Sequence, residues 1–130
     1  GIVLAGAGVP AADLEVTITN LRNADGVVRL ALYDKAEGLA TADAVVEAQV
    51  VGAADDPVRA VFEGLALGTY AIAAYHDEDN DDKFDTFLRI PREGYGFSND
   101  ARPRLRAPTF EEAAFEVPAT GAAITFAMGY

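Results

Sequence analysis

Several residue types that carry chemistry are scarce or missing in this sequence of 130 residues. Cysteine is absent, which excludes disulfides, thiolate metal sites and cysteine nucleophiles. The chain has one histidine, His76, and one serine, Ser98. The chain has 10 basic and 21 acidic residues. The resulting net charge of −11 argues against the basic surface that binding of nucleic acid requires. No apolar run reaches the roughly 18 residues of a membrane-spanning helix.

The length and the apolar content indicate one folded domain. A hydrophobic fraction of 51% excludes general disorder, and a chain of this length can bury a workable core. Leu14, Val16 and Ile18 alternate with polar residues. The turn signal Asn23-Ala24-Asp25-Gly26 predicts a hairpin between this strand and the strand at residues 27–33, and similar turn signals separate the later segments. We predict seven strands, at residues 14–19, 27–33, 45–51, 58–62, 69–75, 113–117 and 122–128, and hence a single antiparallel β-sandwich.

The alternation also predicts which side chains lie between the two sheets of this all-β fold. One face of each strand should be apolar and turned inward. The residues predicted to face the core are Leu14, Val16, Ile18, Leu30, Leu32, Phe62, Tyr70, Ile72, Ala74, Phe115, Ile124 and Phe126.

The first residues of the chain differ from the rest. Residues 1–8 are small and apolar, and Val9-Pro10-Ala11-Ala12-Asp13 follows, a pattern typical of a signal peptide cleaved after Ala11 or Ala12. We assign residues 1–12 to a signal-peptide remnant or an N-terminal strand and residues 13–130 to the β-sandwich, and we expect a secreted or periplasmic protein. If residues 1–10 are retained, they should pair with a sheet edge of the same or a neighbouring subunit, because uncovered apolar strands aggregate.

An acidic segment opens the long predicted loop at residues 76–108. Six of the nine positions from Asp77 to Asp85 are acidic, and aspartates stand at positions 1, 3, 5 and 9 of that run. Calcium loops space their oxygen ligands in this way, although Asp82 replaces the usual glycine and Leu88 the usual final glutamate. The predicted Ca²⁺ ligands are the carboxylates of Asp77, Asp79, Asp81 and Asp85, the backbone carbonyl of Lys83, and Glu93. The alternative is a solvated acidic loop that nearby arginines neutralise.

Arginines and aromatic residues follow the acidic segment and suggest a second kind of site. Half of the basic residues, Arg89, Arg92, Arg102, Arg104 and Arg106, lie here. They either pair with the acidic loop or form an anion-binding surface. Tyr95 and Phe97 lie between glycines and either plug the open end of the sandwich or help to bind a ligand. The residues of a site for a sugar or another polar ligand would be Arg89, Arg92, Tyr95 and Arg102.

The evidence for catalysis in the sequence is weak. A serine hydrolase would have to combine Ser98, His76 and one loop acid, but no Gly-x-Ser-x-Gly motif surrounds Ser98. We expect His76 to end its strand and to form hydrogen bonds within the loop. The sequence therefore predicts a binding or structural module of the cell envelope and not an enzyme.

Several motifs resemble those of one bacterial family. The matching runs are Leu21-Arg22-Asn23 through Gly26, Arg29 to Asp34, Phe62 to Leu65, Gly68 to Ala71, His76-Asp77-Glu78, Lys83-Phe84-Asp85, Ile90 to Asn99 and Pro108 to Phe115. The chain from Leu14 onward thus resembles a family of small exported bacterial proteins known as domain-of-unknown-function family twenty-one forty-one. This resemblance implies a secreted or periplasmic sandwich similar to immunoglobulin-like and transthyretin-like domains, and it implies no activity.

Overall fold

The computed structural model describes residues 10–34, 45–55, 57–78, 94–101 and 108–130. This part of the chain is all-β, as predicted, with eight strands and one helix of four residues. The strands are β1 (Ala11–Thr19), β2 (Val27–Tyr33), β3 (Val45–Gly52), β4 (Val58–Ala66), β5 (Gly68–Asp77), β6 (Tyr95–Phe97), β7 (Phe115–Val117) and β8 (Ala122–Ala127), and the helix is α1 (Phe110–Ala113). A 3₁₀ turn spans Ser98–Asp100.

The strands form two sheets. One has the order β4-β1-β8 and the other the order β3-β2-β5-β6, with β7 also pairing with β5. All strand pairs are antiparallel except β1 and β8, which run parallel from Leu14 opposite Ala122 to Thr19 opposite Ala127. The prediction of a purely antiparallel fold is wrong for this pair. The predicted hairpin of the strands at 14–19 and 27–33 is also wrong, because β1 and β2 lie in different sheets. Alternation predicts which face of a strand is buried, but it carries no information about which strand becomes its neighbour.

The main core lies between the two sheets and agrees with the predicted pattern. In β1 the buried residues alternate with more exposed ones along the strand. Ten of the twelve predicted core residues belong to this cluster, and the other two, Phe115 and Ile124, are partly buried against it. Because side chains of both sheets share one core, the arrangement is sandwich-like.

A second apolar cluster covers the outer face of the larger sheet. From Tyr70 to Asp77 every residue of β5 is buried, so this strand has apolar or paired neighbours on both faces. The second cluster consists of Ala31, Tyr33, Ala71, Ala73, Tyr75, Phe97, Phe110 and Ala113. We predicted only the core between the two sheets, so this second cluster was not among the predictions. The continuous apolar run from Tyr70 to Tyr75, which breaks the alternation, was the available signal, because such runs are typical of strands that are buried on both faces.

The chain after β5 differs from the predicted loop. Within residues 76–108, β6 and the 3₁₀ turn are ordered elements, so the count of seven strands is one too low for the described residues. The strand predicted at 113–117 is only β7 (Phe115–Val117), because Ala113 belongs to α1, which Thr109 and Glu112 begin with a reciprocal capping box. Residues 79–93 and 102–107 lie outside the described part of the chain, as do residues 1–9. Ala11 and Ala12 belong to β1.

The 3₁₀ turn joins three parts of the fold through its side chains. Asn99 and Asp100 adopt positive φ angles of 61° and 52°, which is unusual for residues other than glycine. The Asn99 amide donates to the Ala114 carbonyl at 2.7 Å, and the Asp100 carboxylate accepts from the Ala127 amide at 2.8 Å. These bonds to β8 and to the end of α1 offset the backbone strain.

Ser98, the first residue of the 3₁₀ turn, makes the buried hydrogen bonds of this region. Its hydroxyl accepts a hydrogen bond from the Ile72 amide at 2.9 Å and donates one to the Ala113 carbonyl at 2.5 Å. It therefore links β5 to the end of α1, and the one serine of the chain has a structural position.

We expect Ser98→Ala to lower the free energy of unfolding by about 2 kcal/mol, because it leaves a buried amide and a buried carbonyl without this partner. Thr69→Val is the matched control, since the Thr69 hydroxyl bonds Glu116 at an exposed position; its effect should stay within about 0.5 kcal/mol. Urea unfolding of both variants measures the difference. Equal midpoints for the two variants would contradict the role of Ser98 as a buried joint.

Candidate functional site

The acidic residues after Asp77 belong to the connection between β5 and β6, residues 78–94, which we call the acidic segment from here on, and the two ends of this connection are held side by side. β5 ends at Asp77, just before residues 79–93, and β6 begins at Tyr95, just after them. The two strands are antiparallel neighbours in which Tyr75 lies opposite Tyr95, and the His76 amide donates to the Gly94 carbonyl at 2.8 Å. The segment therefore leaves and rejoins the sheet at adjacent positions.

Asp77, the first predicted calcium ligand, is buried at the end of β5. Its side chain has no exposed surface, and its Oδ2 lies 2.6 Å from Nε of Arg29, whose side chain is 17% exposed. Arg29 lies on the neighbouring strand β2, opposite Tyr75. A charge-assisted bond of this kind compensates a buried carboxylate that would otherwise be strongly disfavoured. Within the described residues, an arginine thus neutralises the carboxylate at the start of the acidic segment.

His76 faces the opposite side of β5 and is also fully buried. Its Nε2 lies 2.8 Å from the Asp25 carbonyl, and its Nδ1 lies 2.8 Å from the Tyr130 hydroxyl. A carbonyl only accepts, so Nε2 carries a proton, and a neutral ring then accepts at Nδ1 from the tyrosine O–H. The His76 side chain therefore bonds outside the predicted loop, whereas its backbone amide does bond within it, to Gly94. β5 runs two residues further than predicted, which turns the ring toward the core.

Tyr130 connects His76 to the segment that precedes β2. Its hydroxyl accepts from the Arg22 amide at 3.0 Å, and the Arg22 guanidinium lies over its ring at 4.8 Å from the centroid. The rings of His76 and Tyr130 meet edge to face. Burial raises the pKa of Tyr130 above its usual value, the bond from the Arg22 amide lowers it, and the Glu78 carboxylate raises it. The fold therefore favours the neutral phenol.

Glu78 extends these contacts to the acidic segment itself. Its Oε2 lies 2.8 Å from Nε of Arg22, and its Oε1 accepts from the Asn23 amide group at 3.2 Å. The Arg22 side chain is 47% exposed, so this ion pair contributes little to stability and mainly orients the Glu78 side chain. We call these residues the Tyr130 network: Arg22, Asn23, Asp25, His76, Glu78 and Tyr130.

Gly26 allows the turn before β2 to approach this end of β5. Its φ is +67°, and a Cβ added there would lie 2.1 Å from the Asp77 carbonyl oxygen. A side chain at this position would meet both a strained backbone and a direct clash. The turn from Asn23 to Gly26, which was predicted from the sequence, thus packs directly against the start of the acidic segment.

His76 and Ser98 are both buried but are not brought together. The register of β5 and β6, together with the bond from the Ile72 amide, places Ser98 opposite Ile72. His76 is four residues further along β5, a distance of about 13 Å along a strand. Each side chain already has the hydrogen bonds described above, so this geometry does not favour the hydrolase alternative.

Tyr95 is the one residue of the predicted polar-ligand site that the structure describes. It is half-buried on the outer face of the larger sheet, edge to face with Phe97 at 6.2 Å between centroids. The other predicted site residues, Asp79, Asp81, Lys83, Asp85, Arg89, Arg92, Glu93 and Arg102, lie outside the described residues. Within those that are described, no group of three or more histidines, aspartates or glutamates is arranged to hold a metal ion.

The sequence interpretation missed Arg22, Arg29 and Tyr130. Arg29 offered a signal, because a single charge inside the apolar strand Val27–Tyr33 needs a partner when the strand is buried. Tyr130 offered none, since its contacts with Arg22 and His76 join residues that are far apart in the sequence.

One family comparison identifies relatives of the chain. The model of a family described as "Uncharacterized protein conserved in bacteria (DUF2141)" matches residues 16–125. The chain belongs to this family. The motif resemblance is thereby confirmed, and the DUF2141 match runs from β1 into β8, so that Tyr130 lies beyond it. No curated protein and no solved structure matches the chain. Among the described residues, no helix is long and apolar enough to cross a membrane.

We expect Arg29→Met to lower the free energy of unfolding by about 3 kcal/mol, because it removes the guanidinium from a buried carboxylate. Arg59→Met is the matched control, since Arg59 is exposed on β4. Chemical denaturation measures both. In the Arg29→Met background, Asp77→Asn should recover part of the loss, because it removes the buried charge that Arg29 neutralises in the unmodified protein. If Arg29→Met is no more harmful than Arg59→Met, the buried ion pair does not stabilise this end of the sheet.

Proposed function

We propose that this DUF2141 protein is a non-catalytic binding or structural module of the cell envelope whose acidic segment binds Ca²⁺. The observation that carries the proposal is the placement of Asp77. This first predicted ligand stands at the end of a buried strand, and the backbone on both sides of the acidic segment is tied together. A segment whose ends are fixed loses less conformational entropy when its carboxylates gather around an ion.

The donor chemistry supports a hard cation and not a transition metal. Both ring nitrogens of His76 are engaged with Asp25 and Tyr130, and the chain has no cysteine. The donors near the acidic segment are therefore oxygens, which suit Ca²⁺. Mg²⁺ should bind more weakly, because it gives up its water reluctantly.

Arg29 would compete with a bound ion for the carboxylate of Asp77. Its guanidinium already neutralises Asp77 at 2.6 Å. An ion that used this carboxylate would have to share it with Arg29 or displace it, which reduces the net gain of binding. We therefore propose that Asp77 is paired with Arg29 when no ion is bound, and that the remaining predicted ligands supply most of the affinity.

We expect calorimetric titration of chelator-treated protein with Ca²⁺ to show binding, and the melting temperature to rise with Ca²⁺ by mass action. Asp81→Asn should weaken binding about tenfold or more, because it replaces a negatively charged oxygen ligand with a neutral amide oxygen. Glu15→Gln is the control, since it removes the same charge at an exposed position of β1. No heat and no shift in melting temperature at millimolar Ca²⁺ would leave the solvated acidic loop as the better explanation.

A second candidate function is the binding of a sugar or another polar ligand. It is favoured by one observation: the half-buried ring of Tyr95 keeps part of its surface accessible on the outer face of the larger sheet, whereas its neighbour Tyr75 is buried and Arg29 is paired with Asp77. An accessible aromatic ring suits a polar ligand with an apolar face. Tyr95→Ala distinguishes the two functions, because it should leave Ca²⁺ binding intact and abolish binding of such a ligand.

The envelope location and the domain subtype are part of the same proposal. The small apolar residues before Val9-Pro10-Ala11-Ala12 support export. We propose that the two-sheet fold is arranged like immunoglobulin-like or transthyretin-like domains. The first residue of the protein isolated from cells tests export, which requires a start near Ala12 or Asp13.

A further inference from the structure

We propose that Tyr130 is a positioning residue that clamps the two ends of the acidic segment together. One end is the stretch His76 to Glu78, where β5 stops, and the other is Gly94 to Tyr95, where β6 begins. The consequence for Ca²⁺ affinity rests on the proposed function. The clamp itself does not, since it is defined by described residues alone.

The contacts of Tyr130 with the first end are polar. Its hydroxyl lies 2.8 Å from Nδ1 of His76 and accepts from the Arg22 amide at 3.0 Å. The Arg22 side chain stacks on the ring and also bonds Glu78 at 2.8 Å. Moving the phenol would therefore disturb both His76 and the arginine that orients Glu78.

The contact with the second end is steric. A Cβ added at Gly94 would lie 2.3 Å from Cε2 of Tyr130, so the ring occupies the space that a side chain at position 94 would need. The residue before Tyr130 is also tied to this end, because Gly129 and Tyr95 exchange two backbone hydrogen bonds of 2.8 and 3.0 Å. One side chain thus touches both ends of the segment.

This arrangement bears on ion binding because the predicted ligands Asp77 and Glu93 flank the two clamped ends. An ion that uses carboxylates from both sides needs those sides at a fixed separation. If Tyr130 holds the separation before the ion arrives, binding does not have to supply the ordering free energy. By reciprocity, a bound ion would strengthen the clamp to the same extent that the clamp strengthens binding.

The first experiment compares Tyr130→Phe with Tyr70→Phe. The Tyr70 hydroxyl donates to the Ala66 carbonyl at 2.6 Å near the start of β5, so the control removes one hydroxyl far from the acidic segment. We expect amide hydrogen exchange at His76 and Tyr95 to be about tenfold faster in Tyr130→Phe than in Tyr70→Phe, the equivalent of about one hydrogen bond. Equal exchange in the two variants would overturn the clamp.

The second experiment disturbs the clamp from the other side. Gly94→Ala should push the ring away and speed exchange at His76 in the natural background. In a Tyr130→Ala background there is no ring to displace, so Gly94→Ala should add little. This double-mutant cycle isolates the contact, and additive effects would mean that Gly94 and Tyr130 act independently, which contradicts the proposal.

Titration with Ca²⁺ separates the clamp from the proposed function. We expect the dissociation constant to rise about tenfold in Tyr130→Phe and to stay unchanged in Tyr70→Phe, in line with the lost ordering. If exchange rises but affinity does not, Tyr130 holds the ends without positioning ligands, and that part of the inference is wrong. If the unmodified protein binds no Ca²⁺, the calcium proposal and the ligand-positioning role fall together, while the exchange data alone judge the clamp.

Discussion

The burial of β5 on both faces is the constraint on which the rest of this structure depends. One face completes the core between the sheets, and the other lies under the second cluster that includes Phe97 and Phe110. Three strands also pair with β5, so hydrogen bonds hold its backbone while packing on both faces holds its side chains. Such a strand is expected to open last.

The polar residues at the end of β5 follow from this position. His76 and Asp77 are adjacent, so they face opposite sides of the sheet, and both are buried. Each therefore requires its own partners, because an uncompensated polar group in a buried position is costly. Arg29 provides the partner on one side, and Tyr130 with the Asp25 carbonyl provides it on the other. The acidic segment starts directly after two residues whose positions are determined by burial.

The acidic residues from Asp77 to Asp85 make the sequence after β5 strongly negative. Carboxylates that are close together repel one another, and the described structure shows two ways of relieving this: Arg29 binds Asp77, and Arg22 binds Glu78. The first pair is buried, while the second is partly exposed and mainly orients the Glu78 side chain. A cation would act on the remaining carboxylates by the same physics, with a divalent charge in place of a guanidinium.

The sequence by itself determined the all-β class, the family and most of the main core, because alternation is a local property. The double burial of β5 was also legible in its unbroken apolar run. Tertiary structure alone decided the parallel pairing of β1 with β8 and the contacts among Arg22, His76 and Tyr130. Those contacts depend on which distant segments become neighbours, and no local spacing of residues encodes that choice.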